Sequence, residues 1–223
     1  MLEYAGKSNT SVYIGKTYVE CTITGIGAGE ILVAHGFNEE GFGNFTLESG
    51  EGELINSDDW HNAYGATSEV RCYLMPVGGD ASFRLYGTAP IILLATFKTG
   101  YPVESMPLAL IGGGEGPSHT HPAYRPYADV VGGDFLLIGS GSCQRCGQFS
   151  GLEDVGKTAG TAAVTRLVHG TCGGPYHTFN AMSLFRVETG GTFSYCGFST
   201  HYIRLRATEL KQYMISDSNW TLG

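Results

Sequence analysis

The amino-acid sequence predicts an all-β protein made of two tandem antiparallel β-sandwich modules that read as a duplication. Three observations carry this. Thirty-four glycines and thirteen tyrosines accompany only 15% charged residues, a composition that favours strands and tight turns over amphipathic helices. Short stretches of alternating apolar and polar residues recur, separated by glycine turns. Finally, Gly29–Gly52 can be laid on Gly133–Gly156 at an offset of about 104 positions, matching Leu32 with Leu136, Gly43 with Gly147 and Phe45 with Phe149, and setting Glu30 against Asp134. Further on, at about 110, Leu74, Val77, Phe83 and Gly87 fall on Leu184, Val187, Phe193 and Gly197. At about 112, Ile91, Leu93, Ala95 and Thr96 fall on Ile203, Leu205, Ala207 and Thr208. Such drift is expected where insertions sit in loops and strands keep their pairing.

The elements follow in order. Tyr18–Thr24 alternates, with Val19, Cys21 and Ile23 on one face. Gly25–Gly29 turns the chain into a second strand, Glu30–His35, and Phe37–Gly43 is a loop before Asn44–Glu48. Asp58-Asp59-Trp60-His61 opens a long polar connection, expected as a solvated loop. Arg71–Val77, a Gly78-Gly79-Asp80 turn and Ser82–Tyr86 form a hairpin, and Pro90 leads into the closing strand Ile91–Lys98. The second half repeats the plan with Asp134–Gly139, Gln148–Leu152, Ala162–Val168, Ala181–Val187, Thr192–Cys196 and Tyr202–Leu210. Six or seven strands per module with long connections favour a jelly-roll order. The expected boundaries are 1–104 and 105–210; in the Gly- and Pro-rich stretch Thr99–Val130 between them, Pro107–Ile111 reads as a first strand and 111–127 as the connection, and a tail follows at 211–223.

The two closing strands differ. In the second module Ile203, Leu205 and Ala207 oppose Arg204, Arg206 and Thr208, the pattern of a strand with one wet face. In the first, Ile91, Leu93 and Ala95 read as inward, which leaves Ile92 and Leu94 as an apolar outer face. That face needs covering, by the second module or by another subunit.

A formal net charge of −8 without any Lys/Arg run argues against nucleic-acid binding. The start MLEYAGKSNTS has no signal-peptide core and no apolar run reaches a membrane span, so synthesis in the cytoplasm without membrane insertion is expected. The six cysteines are accordingly expected as free thiols.

Three constellations offer chemistry. Cys143-Gln-Arg-Cys146-Gly147 has the knuckle spacing of zinc ribbons, and His169-Gly-Thr-Cys172 could complete a tetrahedral site; solvent-facing thiols and a local disulfide are the alternatives. His119-Thr-His121 resembles the H-x-H of cupins and of trimeric phage spike tips, but Arg125 and Pro126 stand where a cupin needs a glutamate. Asp58, Asp59, Trp60 and Tyr64 could contact a glycan, although adjacent aspartates on a strand would face apart. No catalytic motif of a hydrolase elbow, zincin or P-loop type occurs, and no cofactor beyond zinc is suggested.

Each half ends on a strand, a glycine turn, an F-x-x-x-G strand and an apolar strand closing on Ala-Thr: Val77–Thr96 and Val187–Thr208. This looks like the C-terminal half of β-sandwich modules in tailed-phage virion proteins, such as decoration, head-fibre and tail or receptor-binding proteins. The resemblance covers about 20 residues per module and implies a non-enzymatic virion component. It would assemble with itself as a trimer or pentamer and with other virion proteins, and could contact host-surface glycans. The alternatives are a soluble carbohydrate-binding protein and, further off, a cupin-like or glycosidase-type enzyme.

Overall fold

The structure is a computed structural model that describes residues 2–12, 17–38, 44–61, 67–87, 89–100, 108–113, 123–141, 156–173, 179–197 and 199–207. The first half contributes β1 (Leu2–Val12), β2 (Tyr18–Ile26), β3 (Glu30–Asn38), β4 (Phe45–Ser49), β5 (Glu53–His61), β6 (Thr67–Met75), β7 (Gly79–Tyr86) and β8 (Ile91–Thr99). The second contributes β9 (Leu108–Gly113), β10 (Ala123–Val130), β11 (Phe135–Gly141), β12 (Thr158–Ala159), β13 (Ala163–Gly173), β14 (Phe179–Thr189), β15 (Gly191–Gly197) and β16 (Ser199–Ala207).

Each half forms a five-stranded and a three-stranded antiparallel sheet. The first half is ordered β1-β8-β3-β6-β5 with β2-β7-β4; the second, β9-β16-β11-β14-β13 with β10-β15-β12. Replacing each strand of the first half by the one eight places later reproduces the second. First and last strands are neighbours and the chain crosses repeatedly between sheets, which is a jelly-roll order. The fifth strand stays on the larger sheet beside the sixth, giving five and three strands instead of four and four.

Three segments differ from the sequence expectation. Leu2–Val12 is a strand, although its polar and glycine residues give little alternation; it is tied to β8 across an irregularity between Tyr4 and Ser8. Asp58–His61 is the end of β5, paired with β6, where a loop was expected. Within the Gly/Pro-rich connection, β9 agrees with the expected strand near 107–111. Ala123–Val130, however, is also a strand, and its Pro126 sits on the edge of its sheet, the position where a missing N–H costs no ladder bond.

Turn hydrogen bonds set the two halves in correspondence. Gly29 N donates to Met75 O and Gly133 N to Val187 O, with both glycines at positive φ (77° and 91°). Next to them the acids Glu30 and Asp134 are both buried, and each faces a cation on its closing strand, Lys98 and Arg206. In the second module the pairing is bidentate: Arg206 Nε and Nη2 donate to the two Asp134 carboxylate oxygens, each at 2.6 Å. Asp134 also accepts from Val131 N at 3.1 Å. Arg206→Ala leaves that carboxylate buried without its cation, and is expected to lower unfolding stability by about 2–3 kcal/mol in a denaturant titration.

The side chains make three cores and four layers. Val19, Cys21, Ile23, Leu32, Ala34, Phe83, Leu85, Ile92 and Leu94 fill the space between the two sheets of the first module. Leu136, Ile138, Phe185, Phe193, Tyr195 and Tyr202 do so in the second. The third core lies between the two five-stranded sheets, which pack face to face: Ile31, Val33, Phe37, Leu93 and Phe97 meet Phe135, Leu137, Met182, Leu184, Ile203 and Leu205.

This reverses the expected facing of β8. Ile92 and Leu94, anticipated at a domain or subunit interface, belong to the first module's own core, whereas Ile91, Leu93 and Ala95 face the second module. Strand alternation separates the two sets but does not say which is inside, because β8 is apolar on both faces. The need for cover was read correctly, and it is the second module that provides it. On β16, likewise, Ile203 and Leu205 face the first module, while Arg204 and Arg206 occupy the other face.

Candidate functional site

The residues singled out by sequence do not gather. Cys143, Cys146, Tyr64, His119 and His121 lie outside the described residues. Asp58 and Asp59 occupy successive positions of the edge strand β5, opposite Val70 and Glu69, and so face apart. Asp59 pairs with Arg71, whose other nitrogen donates to Glu69 at 2.8 Å. Trp60 is opposite Ser68 in the ladder.

His169, proposed as a metal ligand, is on β13 and not in a loop. Its Nδ1 is 2.8 Å from Ser183 Oγ, which is 3.3 Å from Tyr195 OH, a chain running from the surface into the second module's core. Burial first, and the nearby Arg166 guanidinium second, hold the His169 imidazole below its ordinary pKa. Cys172 stands three positions further, opposite Asn180 where His169 is opposite Ser183, so the two ladder positions have opposite parity. Among the described residues no three His, Cys, Asp or Glu side chains form a metal-holding group. Cys21, Cys72 and Cys196 are buried and in no disulfide, and burial pushes Cys21 up to about 11 and Cys72 to about 12.

The most unusual chemistry lies in the seam between the five-stranded sheets. β1 lies against β13, β8 against β14, β3 against β11 and β5 against β9. Under the strand correspondence, the β1–β13 and β5–β9 contacts are the same pair exchanged, as in the isologous interface of a symmetric dimer. At its centre stands His35, wholly buried, with Nε2 2.7 Å from Ser68 Oγ. The His201 ring approaches from the other module edge-on, with centroids 6.4 Å apart and planes at 77°. Gly139 makes room for them: a Cβ there would be 2.5 Å from Phe37 Cδ2 and 3.3 Å from His35 Cε1. Asn180 of the second module donates to Ala89 O of the first at 2.5 Å, and Ala89 holds a φ of 57°. Burial drives both imidazoles toward the neutral form. His35 is held well below its ordinary pKa by burial and, secondarily, by His201; His201 is brought down to about 4 by burial.

Sequence reasoning passed over this pair. The available signal was a histidine inside an otherwise apolar strand, Glu30–Asn38, on a sheet whose two faces both had to be covered.

The outward face of the first module's small sheet is polar. On the β2-β7-β4 sheet Tyr18 and Tyr86 lie 5.6 Å apart, Arg84 stacks 5.0 Å over Tyr18, and the guanidinium bridges Glu20 and Glu48. An open depression of about 310 Å³ borders the β1 irregularity, lined by Gly6, Lys7, Ser8, Asn9 and Thr22–Thr24. Comparison of the chain with protein-family models, curated proteins and solved structures found no match.

Proposed function

We propose that the protein is a non-enzymatic structural component of a virus particle of the tailed-phage kind, acting as a rigid double jelly roll on the head or tail. One observation supports this reading above the others: two jelly rolls are fused back to back through their large sheets, leaving the two small sheets directed outward. Jelly rolls recur in capsid and lectin domains, and the step from fold to role is one of analogy. Because the first module's own core takes up Ile92 and Leu94, and the second module covers the other face of β8, self-association would use the outer sheets or module ends. Mass measurement across a hundredfold concentration range, joined to co-sedimentation with particles, tests it. A concentration-independent trimer or pentamer that binds particles is expected; a monomer indifferent to particles removes the proposal.

A soluble carbohydrate-binding protein is the second reading, favoured by the Tyr18–Tyr86 pair flanked by Arg84, Glu20 and Glu48 on one outward face. Under it, Tyr86→Ala lowers glycan-array binding at least about tenfold while leaving the melting curve in place, since Tyr86 is a partly exposed ring. Equal binding by the variant would dismiss that face.

A further inference from the structure

We infer that the seam is an acid-released latch: protonation of His35 and His201 parts the two five-stranded sheets while each jelly roll keeps its own core.

The geometry places the two imidazoles on opposite sides of one interface, both buried and within 6.4 Å of each other. Ring-to-ring at this spacing, two imidazolium charges would repel one another inside a space that excludes water. The other titratable groups whose ladder positions share these faces are Tyr4, Glu53, Asp58 and Cys72 on the first module, and Cys172 and Arg186 on the second. Of the two carboxylates, Glu53 is exposed and Asp58 is half-buried on the outermost strand β5, with β6 between it and His35. Around the pair itself the facing positions are Val33, Phe37, Ser68, Val70, Leu93, Leu137, Gly139, Met182 and Ile203, none of them able to carry a negative charge.

The sign follows from linkage. A histidine whose folded pKa lies below its unfolded value contributes full stability above the unfolded value and loses it as pH falls toward the folded one. For His201 that window runs from 6.5 down to about 4, and His35, also held well below its ordinary pKa, acts in the same direction. The one other histidine with a described side chain, His169, touches the second module's core through Ser183 but is itself exposed on the edge strand β13, where a charged imidazole stays in contact with water. Acid therefore acts first where the imidazoles are, on the seam.

The chain carries its own reporters. Cys72 lies in the seam, Cys21 in the first module's core, and Cys196 is buried in the second module. Thiol labelling with a dithiodipyridine, which reacts in acid, is followed by peptide mass mapping of each cysteine at pH 7.5 and pH 4.5, normalised to a free thiol. The latch predicts that Cys72 labels at least about tenfold faster at the lower pH while Cys21 and Cys196 stay protected. In His35→Phe/Ser68→Ala/His201→Leu, Cys72 should remain protected at both pH values. Simultaneous exposure of all three thiols in the natural protein, or protection of all three, overturns the latch. So does a triple variant whose Cys72 opens on the same pH course. The natural protein decides the question alone should the variant fail to fold.

Discussion

Leu94→Asp is expected to prevent the first jelly roll from folding, with a loss of at least about 4 kcal/mol, seen as loss of the cooperative thermal transition. Leu94 is fully buried between the two sheets of its module, among Leu32, Ala34, Ile92 and Leu85, and pairs with Ala34 on β3 and Asn9 on β1. A carboxylate placed there has no cation to meet; it must either stay charged in an apolar space or take up a proton, and each route is costly. The contrast with an interface residue makes the experiment sharp. A face that binds a second subunit tolerates aspartate by dissociating, and the chain then stays folded as a smaller species. A folded but dissociated Leu94→Asp protein would therefore put this residue on an outer surface and refute its assignment to the core.

Gly139→Val should be strongly damaging to the seam, at about 3 kcal/mol in a denaturant titration. The first carbon added at this position already falls 2.5 Å from the Phe37 ring, and the wall behind that ring is packed core. Two further methyl groups on a β-branched side chain cannot be taken up by turning Phe37, because His35 closes the other side at 3.3 Å. The cause is tested by pairing. Gly139→Ala made in a Phe37→Leu background should cost less than the same change in the natural chain, since the smaller side chain vacates the contested space. Additive effects of the two changes would mean that Gly139 is required for some reason other than close approach.

Much of the fold could be read from residues alone. Alternation in Tyr18–Thr24 and the glycine turn before Glu30 located β2 and β3, and the apolar run at Ile91–Phe97 announced a sheet covered on both sides. The internal likeness placed Glu30 opposite Asp134, and these are the two buried acids that meet Lys98 and Arg206. Other assignments failed for identifiable reasons. β1 and β5 carry many polar residues because they are edge strands of their sheets, so their apolar pattern is diluted. The closing strands were aligned Leu93 to Leu205, yet the ladders make Leu93 the partner of His35 and His201 the partner of Gly139. A shift by an even number of residues preserves the alternation and leaves no trace in composition.

The candidate site was less accessible still. Cys143, Cys146, His169 and Cys172 were grouped by spacing, in a loop or strand end; Cys143 and Cys146 lie outside the described residues, and His169 stands within β13. His35 and His201 lie far apart in sequence with no motif between them. They meet because the two large sheets stack, with β3 against β11.

By itself, then, the sequence determined that this chain is all-β, that it consists of two similar halves, and that one of its sheets cannot face water. Those properties follow from periodicity and turn chemistry, which are local. Only the tertiary structure decided which face of β8 is the module core, how the halves stack, and that two imidazoles share a dry interface. Those outcomes depend on contacts between strands distant in the chain, where a two-residue alternation admits several registers and only simultaneous packing of all four layers selects one.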